Sequence, residues 1–196
     1  MKIALRPIKL EDLPQYRKLI APTQAFHRLN GPYLGMPTAA DQNKKIMEFG
    51  FELTKPNPSF NFELIFEEED GRILGEVSYY WKDQRTNWLE VGIVLFNQTD
   101  WGRGIGTVAL PLWIDRQLTE RPALVRIGLT TWSGNAGMMA LAERIGLKLE
   151  ACYRKARILD GKYFDSLSYG ILREEWNQLR TQPASNASRD HTQRRR

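Results

Sequence analysis

The sequence predicts a mixed α/β fold built on one sheet that is mostly antiparallel, contains one parallel strand pair and is flanked by helices. Three strand patterns follow one another between residues 61 and 96, and Asp70-Gly71 suits a hairpin turn between the first two. The third strand pattern leads into a helix at residues 104–119 and then a strand at residues 124–131. Such a crossover makes the two strands that it joins parallel neighbours.

Apolar residues repeat every second position in the predicted strands and every third or fourth position in the predicted helices. The last two strands are joined by Asp160-Gly161, which is typical of a tight hairpin turn. The predicted order is a strand at 2–6, helices at 11–20 and 39–54, strands at 61–68, 72–81 and 87–96, a helix at 104–119, a strand at 124–131, a helix at 137–145 and two closing strands.

A chain of 196 residues, 42% of them hydrophobic, suits one domain, which we expect at residues 1–178. No apolar run approaches the ~20 residues needed to span a bilayer, so we expect no membrane partner. The first residues are charged too early for a signal peptide, and Cys152 is the only cysteine. These features predict a cytoplasmic protein without a disulfide.

The formal net charge of +5 is concentrated at the C-terminal end. From Arg180 to Arg196 there are five Arg and one Asp, whereas the rest of the chain is almost neutral. Residues 179–196 therefore predict a disordered basic tail, and we interpret it as a solubilising extension. A weak ribosome or RNA contact through this tail is the alternative. We expect no nucleic-acid partner for the body of the protein.

Only two histidines are present, His27 and His191, and the second lies in the predicted tail. A zinc site normally uses several Cys or His ligands, so we expect no metal. A histidine-dependent nucleophile would have to rely on His27 alone. Any general base is therefore expected to be a carboxylate or water.

The most informative segment is the glycine turn at residues 101–107, which connects an apolar strand to an apolar helix. Backbone N–H groups at such a helix start have no partner within the helix and favour an anion such as phosphate. A Walker loop is excluded because Gly106 is followed by Thr107 and Val108 rather than by Lys and Ser or Thr. A dinucleotide fingerprint fits residues 104–109 by spacing, but seven residues separate it from the strand. An acyl-CoA pyrophosphate loop is the third interpretation.

Four segments resemble the GNAT N-acetyltransferases, in particular the RimJ/RimL-like branch, which acetylates protein N-termini and assorted small amines. The glycine turn WGRGIG resembles the Q/R-x-x-G-x-G/A loop of the family, and IALRP followed by Glu11-Asp12 resembles the "LRP…ED" opening of the branch. The segment NAGMMALAERIGL at residues 135–147 resembles its second signature, and residues 154–176 resemble its closing hairpin. The resemblance covers roughly residues 3–176.

The resemblance implies a GNAT acyl-CoA N-acyltransferase fold whose parallel strands splay apart to admit the pantetheine arm of acetyl-CoA. Asn135 is expected to contact pantetheine, although Asn in this position also suits a helix N-cap. Trp101 departs from the Gln or Arg usual in the family, and Met138 and Ala142 replace familiar Ser and Tyr positions. The implied cofactor residues are Leu95, Phe96, Trp101, Gly102, Arg103, Gly104, Ile105, Gly106, Thr107 and Asn135.

Acetyl transfer to an amine needs a base, and Glu90 is the leading residue because it resembles a carboxylate position of several relatives. An ordinary solvent-facing strand residue is the alternative interpretation of Glu90. The expected amine-acceptor residues are His27, Tyr33, Trp81, Tyr163 and Asp165. The sequence thus predicts direct transfer from acetyl-CoA to a primary amine. A non-catalytic acyl-CoA-binding or interaction protein is the alternative, and a homodimer stays open.

Overall fold

The computed structural model describes residues 1–181, which form one seven-stranded sheet with helices on both faces. The strand order is β1-β2-β3-β4-β5-β7-β6. The strands are β1 (Ile3–Arg6), β2 (Phe62–Glu67), β3 (Ile73–Asp83), β4 (Trp88–Leu95), β5 (Arg126–Trp132), β6 (Lys148–Leu159) and β7 (Lys162–Leu172). The helices are α1 (Leu13–Leu19), α2 (Ala39–Leu53), α3 (Ile105–Glu120), α4 (Ala136–Arg144) and α5 (Arg173–Thr181).

All neighbouring strands are antiparallel except β4 and β5, which are parallel. These two strands pair at one position only, Glu90 with Gly128. Beyond that position the strands separate, whereas β3 continues to pair with β4 as far as Leu95. The predicted fold class, a mostly antiparallel sheet with one splayed parallel pair, is confirmed.

The two faces of the sheet carry separate apolar cores, which the alternation along β4 shows clearly. Leu89 and Val91 lie in the larger core, with α3 and α4. Phe96 points to the opposite face and packs with Tyr16 of α1 in the smaller core. Glu90 shares the face of Phe96, because their positions differ by six, an even number. We call this second face the acceptor face.

The predicted elements match the observed ones to within about two residues at most ends, but α5 was not predicted. Residues 173–176, which the resemblance assigned to the closing hairpin, form the first turn of α5. Glu175 accepts a hydrogen bond from the Leu172 N–H at 3.0 Å, and Trp176 is buried. The acidic first turn and the buried aromatic residue therefore start a helix where the alternation of β7 ends.

The predicted boundary between the domain and the tail, at residues 178 and 179, falls inside α5. Residues 179–181, assigned to the tail, form the end of α5. The remaining tail residues, 182–196, lie outside the described residues. Within residues 1–181, none of the helices combines the length and the apolar character needed to cross a membrane.

A bidentate ion pair fastens β1 to the start of α1. The Arg6 guanidinium donates to both oxygens of Asp12 at 2.6 and 2.8 Å, and the Lys9 N–H donates to the same carboxylate at 2.8 Å. Burial raises the pKa of Asp12, but the hydrogen bonds from Arg6 and Lys9 outweigh it and hold the pKa below its ordinary value. The ionised carboxylate therefore stabilises the folded state.

We expect Asp12→Asn to lower the free energy of unfolding by about 2 kcal/mol at pH 7, because a charge-assisted pair is lost. A lowered pKa in the folded state means that the contribution is present above the unfolded pKa of about 4 and disappears below it. Urea unfolding at several pH values should therefore show the two proteins converging as the pH falls below about 4. A difference that persists undiminished at pH 2 would contradict this assignment.

Candidate active site

A groove opens where β4 and β5 separate and encloses about 390 Å³. Its walls come from the end of β4, the glycine turn before α3, the exposed side of α4 and the loop after α1. The lining residues are Phe26, Leu29, Asn30, Ile93, Val94, Leu95, Trp101, Gly102, Gly104, Gly106, Thr107, Asn135, Gly137, Met138, Ala140, Leu141 and Arg144.

The glycine turn presents unpaired backbone donors to this groove. Gly104 is the N-cap of α3 with φ 81°, and no side chain caps the helix. The first bond that closes the turn runs from the Thr107 N–H to the Gly104 carbonyl at 3.1 Å. The N–H groups of Ile105 and Gly106 therefore have no acceptor within the helix, and together with the helix dipole they favour an anion.

Close packing of α3 on α4 explains the last glycine of the turn. A Cβ on Gly106 would lie 2.9 Å from the side chain of Leu141. A side chain at Gly106 would therefore have to displace the end of the Leu141 side chain, and glycine avoids this. Ile105 packs its side chain in the core, so of the turn residues it offers the groove only its backbone.

Asp100 holds the loop that precedes the glycine turn, and sequence reasoning missed it. Its carboxylate is only 1% exposed and accepts hydrogen bonds from Arg72 at 2.9 to 3.2 Å. Arg103 donates to the same carboxylate at 3.0 Å. Arg103, expected to contact pyrophosphate, is thus paired with Asp100 and does not line the groove. The sequence offered one signal for this ion pair, since Asp100 lies three residues before Arg103.

The end of β4 offers backbone groups to the groove, but from Leu95 rather than from Phe96. The Phe96 N–H donates to Leu74 across the β3 ladder, and its side chain is buried in the smaller core. Because ladder bonds alternate, the backbone groups of Ile93 and Leu95 point toward the gap beside β5. The Trp101 indole N–H donates to the Leu95 carbonyl at 3.0 Å. Trp101 therefore lines the groove and covers one of these acceptors.

Asn135 both lines the groove and caps α4. Its side chain accepts from the Met138 N–H at 3.0 Å and donates to the Leu29 carbonyl at 3.2 Å. The Trp132 indole N–H donates to the same carbonyl at 2.9 Å. These two bonds tie the loop after α1 to the turn before α4. The N-cap interpretation of Asn135 describes its contacts, and its contact with pantetheine stays a prediction.

Arg144, in the last turn of α4, adds a cation to the groove that sequence reasoning did not identify. It forms no ion pair with any carboxylate of residues 1–181, whereas Arg72 and Arg103 share Asp100. The sequence offered a weak signal, since Arg144 lies nine residues after Asn135 in the helical segment that lines the groove.

Glu90 lies on the acceptor face at the point where β4 and β5 diverge, and it is 2% exposed. The Tyr80 hydroxyl donates to its carboxylate, and the Lys82 ammonium lies 3.9 Å from it. A Cβ on Gly128 would lie 3.6 Å from the Glu90 side chain, so the small residue on β5 makes room for it. Glu90 is therefore a buried, partnered carboxylate rather than an ordinary solvent-facing residue.

Tyr80 is a proton donor at neutral pH, because burial and the adjacent Glu90 carboxylate raise its pKa well above the ordinary value. The nearby Thr130 hydroxyl acts in the opposite direction. The Thr130 Oγ1 atom is buried and meets no hydrogen-bond geometry with another atom of residues 1–181. The site therefore combines a carboxylate, a phenol and a hydroxyl group.

Of the expected acceptor residues, Tyr33 lies closest to this arrangement. Its ring packs edge-on against Trp132 at 5.8 Å and is close enough to Tyr80 to affect the pKa of that phenol. Trp81 points to the opposite face and packs in the larger core, because strand alternation turns Tyr80 instead toward Glu90. His27 binds the Ala21 carbonyl at 3.1 Å and thus holds the end of α1.

The two expected residues of the closing hairpin lie apart from Glu90. Tyr163 is 61% exposed on β7. Asp165 accepts from the Lys155 N–H at 2.8 Å, where β6 bulges, and so satisfies the backbone of its own hairpin. Neither residue lines the groove. Residues 1–181 contain no group of three or more His, Cys, Asp or Glu side chains that would hold a metal ion.

The sequence matches the acetyltransferase (GNAT) domain family over residues 2–148. The chain belongs to this family. The family expected from the four sequence motifs is therefore confirmed.

Among curated GNAT relatives, YdaF of Bacillus subtilis (strain 168), named as a candidate ribosomal N-acetyltransferase, is 30% identical over 107 residues. The match covers 55% of this chain and 57% of YdaF, so it spans little more than half of that relative's length. The match to YdaF supports the RimJ/RimL-like branch that the sequence motifs predicted.

Two solved GNAT structures share the fold. The spermidine N-acetyltransferase of Vibrio cholerae in complex with CoA and spermine has a TM-score of 0.70 at 15% identity, covering 89% of this chain and 98% of that one. RimL, the ribosomal L7/L12 alpha-N-protein acetyltransferase in complex with coenzyme A, has a TM-score of 0.67 at 19% identity, covering 88% and 94%. Because both identities are below 25%, these two structures establish the fold of this chain and nothing further.

We expect Gly104→Val to lower the affinity for acetyl-CoA about 10- to 100-fold, because a side chain at φ 81° displaces the N–H groups that face the groove. Calorimetric titration of the folded variant measures the change. Gly71→Val is the matched control, since Gly71 has φ 70° in the β2–β3 hairpin, outside the groove. Equal affinities for the Gly104 variant and the wild type would remove the phosphate-binding role of the turn.

Proposed function

We propose that the protein transfers the acetyl group of acetyl-CoA directly to a primary amine, either a protein N-terminus or a small amine. The observation that carries the proposal is the position of Glu90. It is a buried carboxylate with partners, and it lies at the single position where β4 pairs with β5, next to the separation that opens the groove, although its side chain does not line the groove. A general base for an amine needs this combination of limited solvent access and proximity to the bound thioester.

The groove fits acetyl-CoA in three respects. The start of α3 supplies unpaired N–H groups for a pyrophosphate, and Arg144 supplies a cation at the far wall. The gap beside β4 exposes the backbone groups of Ile93 and the N–H of Leu95, which suit the amides of a pantetheine arm. Hydrogen bonds from indole and amide N–H groups to the carbonyls of Leu95 and Leu29 hold these walls in place. The Asn135 amide is one of the donors to Leu29.

In the proposed reaction the acceptor nitrogen gives its proton to Glu90, directly or through water, and attacks the thioester carbonyl. The carbon–sulfur bond then breaks and CoA leaves as a thiolate, which needs little assistance because a thiol has a pKa near ~8.5. Tyr80 and Lys82 position the Glu90 carboxylate. Cys152 is exposed on β6 and does not line the groove, which supports direct transfer rather than an acyl-enzyme.

A non-catalytic acyl-CoA-binding protein is the second candidate, and the groove supplies one observation in its favour. Met138 lines the groove at a position where some RimJ/RimL-like members have Ser, and Ala142 is fully buried where many GNAT proteins have a Tyr donor. CoA release in the presence of amines and N-terminal peptides separates the two candidates, because only the enzyme turns over. A cytoplasmic location fits the single exposed cysteine.

We expect Glu90→Gln to lower kcat/KM by about 10² to 10⁴ near neutral pH with little change in acetyl-CoA affinity, because the amide keeps the size but not the basicity. The measurement is CoA release at saturating acetyl-CoA. Raising the pH should restore part of the rate, since more of the amine is then neutral in solution.

Glu63→Gln is the matched control for this variant. Glu63 is a partly buried carboxylate on β2 whose partner is Arg116 of α3, and it does not line the groove. Its replacement should leave kcat/KM near the wild-type value. A Glu90 variant that keeps wild-type kcat/KM across the pH range would assign the base to another group or to water.

We expect Arg144→Gln to weaken acetyl-CoA binding about 10-fold, because one charge-assisted contact to phosphate is lost. The salt dependence of the affinity should also decrease, since fewer ionic contacts are broken by added salt. Arg85→Gln, which removes a 90% exposed cation outside the groove, serves as the control. An unchanged affinity at low salt would place the phosphates elsewhere.

A further inference from the structure

Arg157 of β6 has an unusual environment on the acceptor face. One guanidinium nitrogen, Nη2, donates to the Ser166 hydroxyl at 3.2 Å, and the guanidinium lies over the ring of Tyr33 at 4.6 Å. Ser166 is paired with Trp132 in the β5–β7 ladder, and the Trp132 ring contacts Tyr33. Arg157 therefore belongs to the same wall as Tyr33, which in turn lies near Tyr80.

The charge of Arg157 is not balanced by a carboxylate of residues 1–181. Among the ion pairs of residues 1–181 none involves Arg157, and its Nε atom is buried without a hydrogen-bond partner. Only three buried side-chain polar atoms in these residues lack a partner, and the Thr130 hydroxyl on the same face is another. A partly buried cation with free donors is costly unless an anion meets it.

The other charges of this face also favour a negatively charged guest. Lys82 lies on one side of Glu90, and Arg126, which is paired with Glu150, approaches Gly128 on the other. Lys82 and Arg126 therefore lie around Glu90, and Arg157 adds a cation that has no carboxylate partner among residues 1–181. A polyamine would meet more repulsion than attraction here.

We propose that the acceptor carries a carboxylate close to its reactive amine, and that Arg157 binds this carboxylate through Nε and a terminal nitrogen. The inference rests on the proposed acetyl transfer and deepens it by naming the acceptor class. A planar guanidinium presents two parallel donors that match a carboxylate, whereas stacking on Tyr33 fixes its plane. The carboxylate belongs either to a free amino acid or to an acidic residue near a peptide N-terminus.

Two pairs of acceptors test the inference in the intact chain. The peptides Ser-Glu-Ala amide and Ser-Gln-Ala amide differ in one carboxylate but hardly in the basicity of the amine, and 4-aminobutyrate and 4-aminobutanamide supply the small-molecule arm. We expect kcat/KM to be about 10- to 100-fold higher for the carboxylate member of at least one pair. The pair that shows the preference identifies the peptide or the free amino acid as the source.

In the Arg157→Gln variant the two members of a pair should have about equal kcat/KM. Turnover of the amide member should stay within a few-fold of wild type. Arg157→Lys, which keeps the charge but not the two parallel donors, should retain part of the preference. Arg154→Gln, an exposed arginine of the same strand, is the control and should keep the full preference. A purely structural role of Arg157 would lower both members of a pair equally, and that result would overturn the inference.

Two further outcomes separate the inference from the proposed function. Turnover of both members at equal kcat/KM by the wild type would overturn the carboxylate preference and leave the acetyltransferase activity standing. If no amine is turned over, calorimetric binding of the two peptides to the CoA complex decides instead. Selective binding of Ser-Glu-Ala amide that is lost in Arg157→Gln supports the anion site alone, and equal binding or none overturns it.

Discussion

The separation of β4 from β5 after a single pairing is the constraint on which the rest of the site depends. Glu90 and Gly128 pair the two strands at one position. Beyond that position β4 and β5 form no further backbone hydrogen-bonded pairs with each other. Such unpaired backbone groups are costly in a sheet interior, so the gap has to be filled by a ligand that pairs with them or by side chains. Here the Trp101 indole N–H donates to the Leu95 carbonyl, whereas Ile93 lines the open groove. The gap thus accounts for the groove, and Glu90 lies at the position where the gap begins.

The fold was predictable because its signals are local. Hairpin turns at Asp70-Gly71 and Asp160-Gly161, together with a strand–helix–strand crossover, leave few arrangements of the sheet. Side-chain directions were harder, since shifting one residue along a strand changes the face of the sheet. That is why Trp81 was expected beside the acceptor and Tyr80 was not, although strand alternation places Tyr80 next to Glu90.

The parts of the site that sequence reasoning missed depend on long-range contacts. The glycine turn was visible because a positive φ and close helix packing both require glycine, as at Gly104 and Gly106. By contrast, Asp100 acquires its role from Arg72, which lies 28 residues earlier, and the Leu29 carbonyl acquires its role from Trp132 and Asn135. No spacing rule connects such positions, so the walls of the groove became apparent only from the structure.

The arginines of the chain divide according to whether a carboxylate meets them. Arg6 and Arg72 are held by buried acids, Asp12 and Asp100, and fasten one element to another. Arg144 and Arg157 meet no such acid within residues 1–181, and they lie at the two ends of the proposed reaction path, in the cofactor groove and on the acceptor face. A cation without an internal partner is tolerated where a ligand supplies the anion. These two positions are the basis of both proposals, a phosphate of the acyl donor at Arg144 and a carboxylate of the acceptor amine at Arg157.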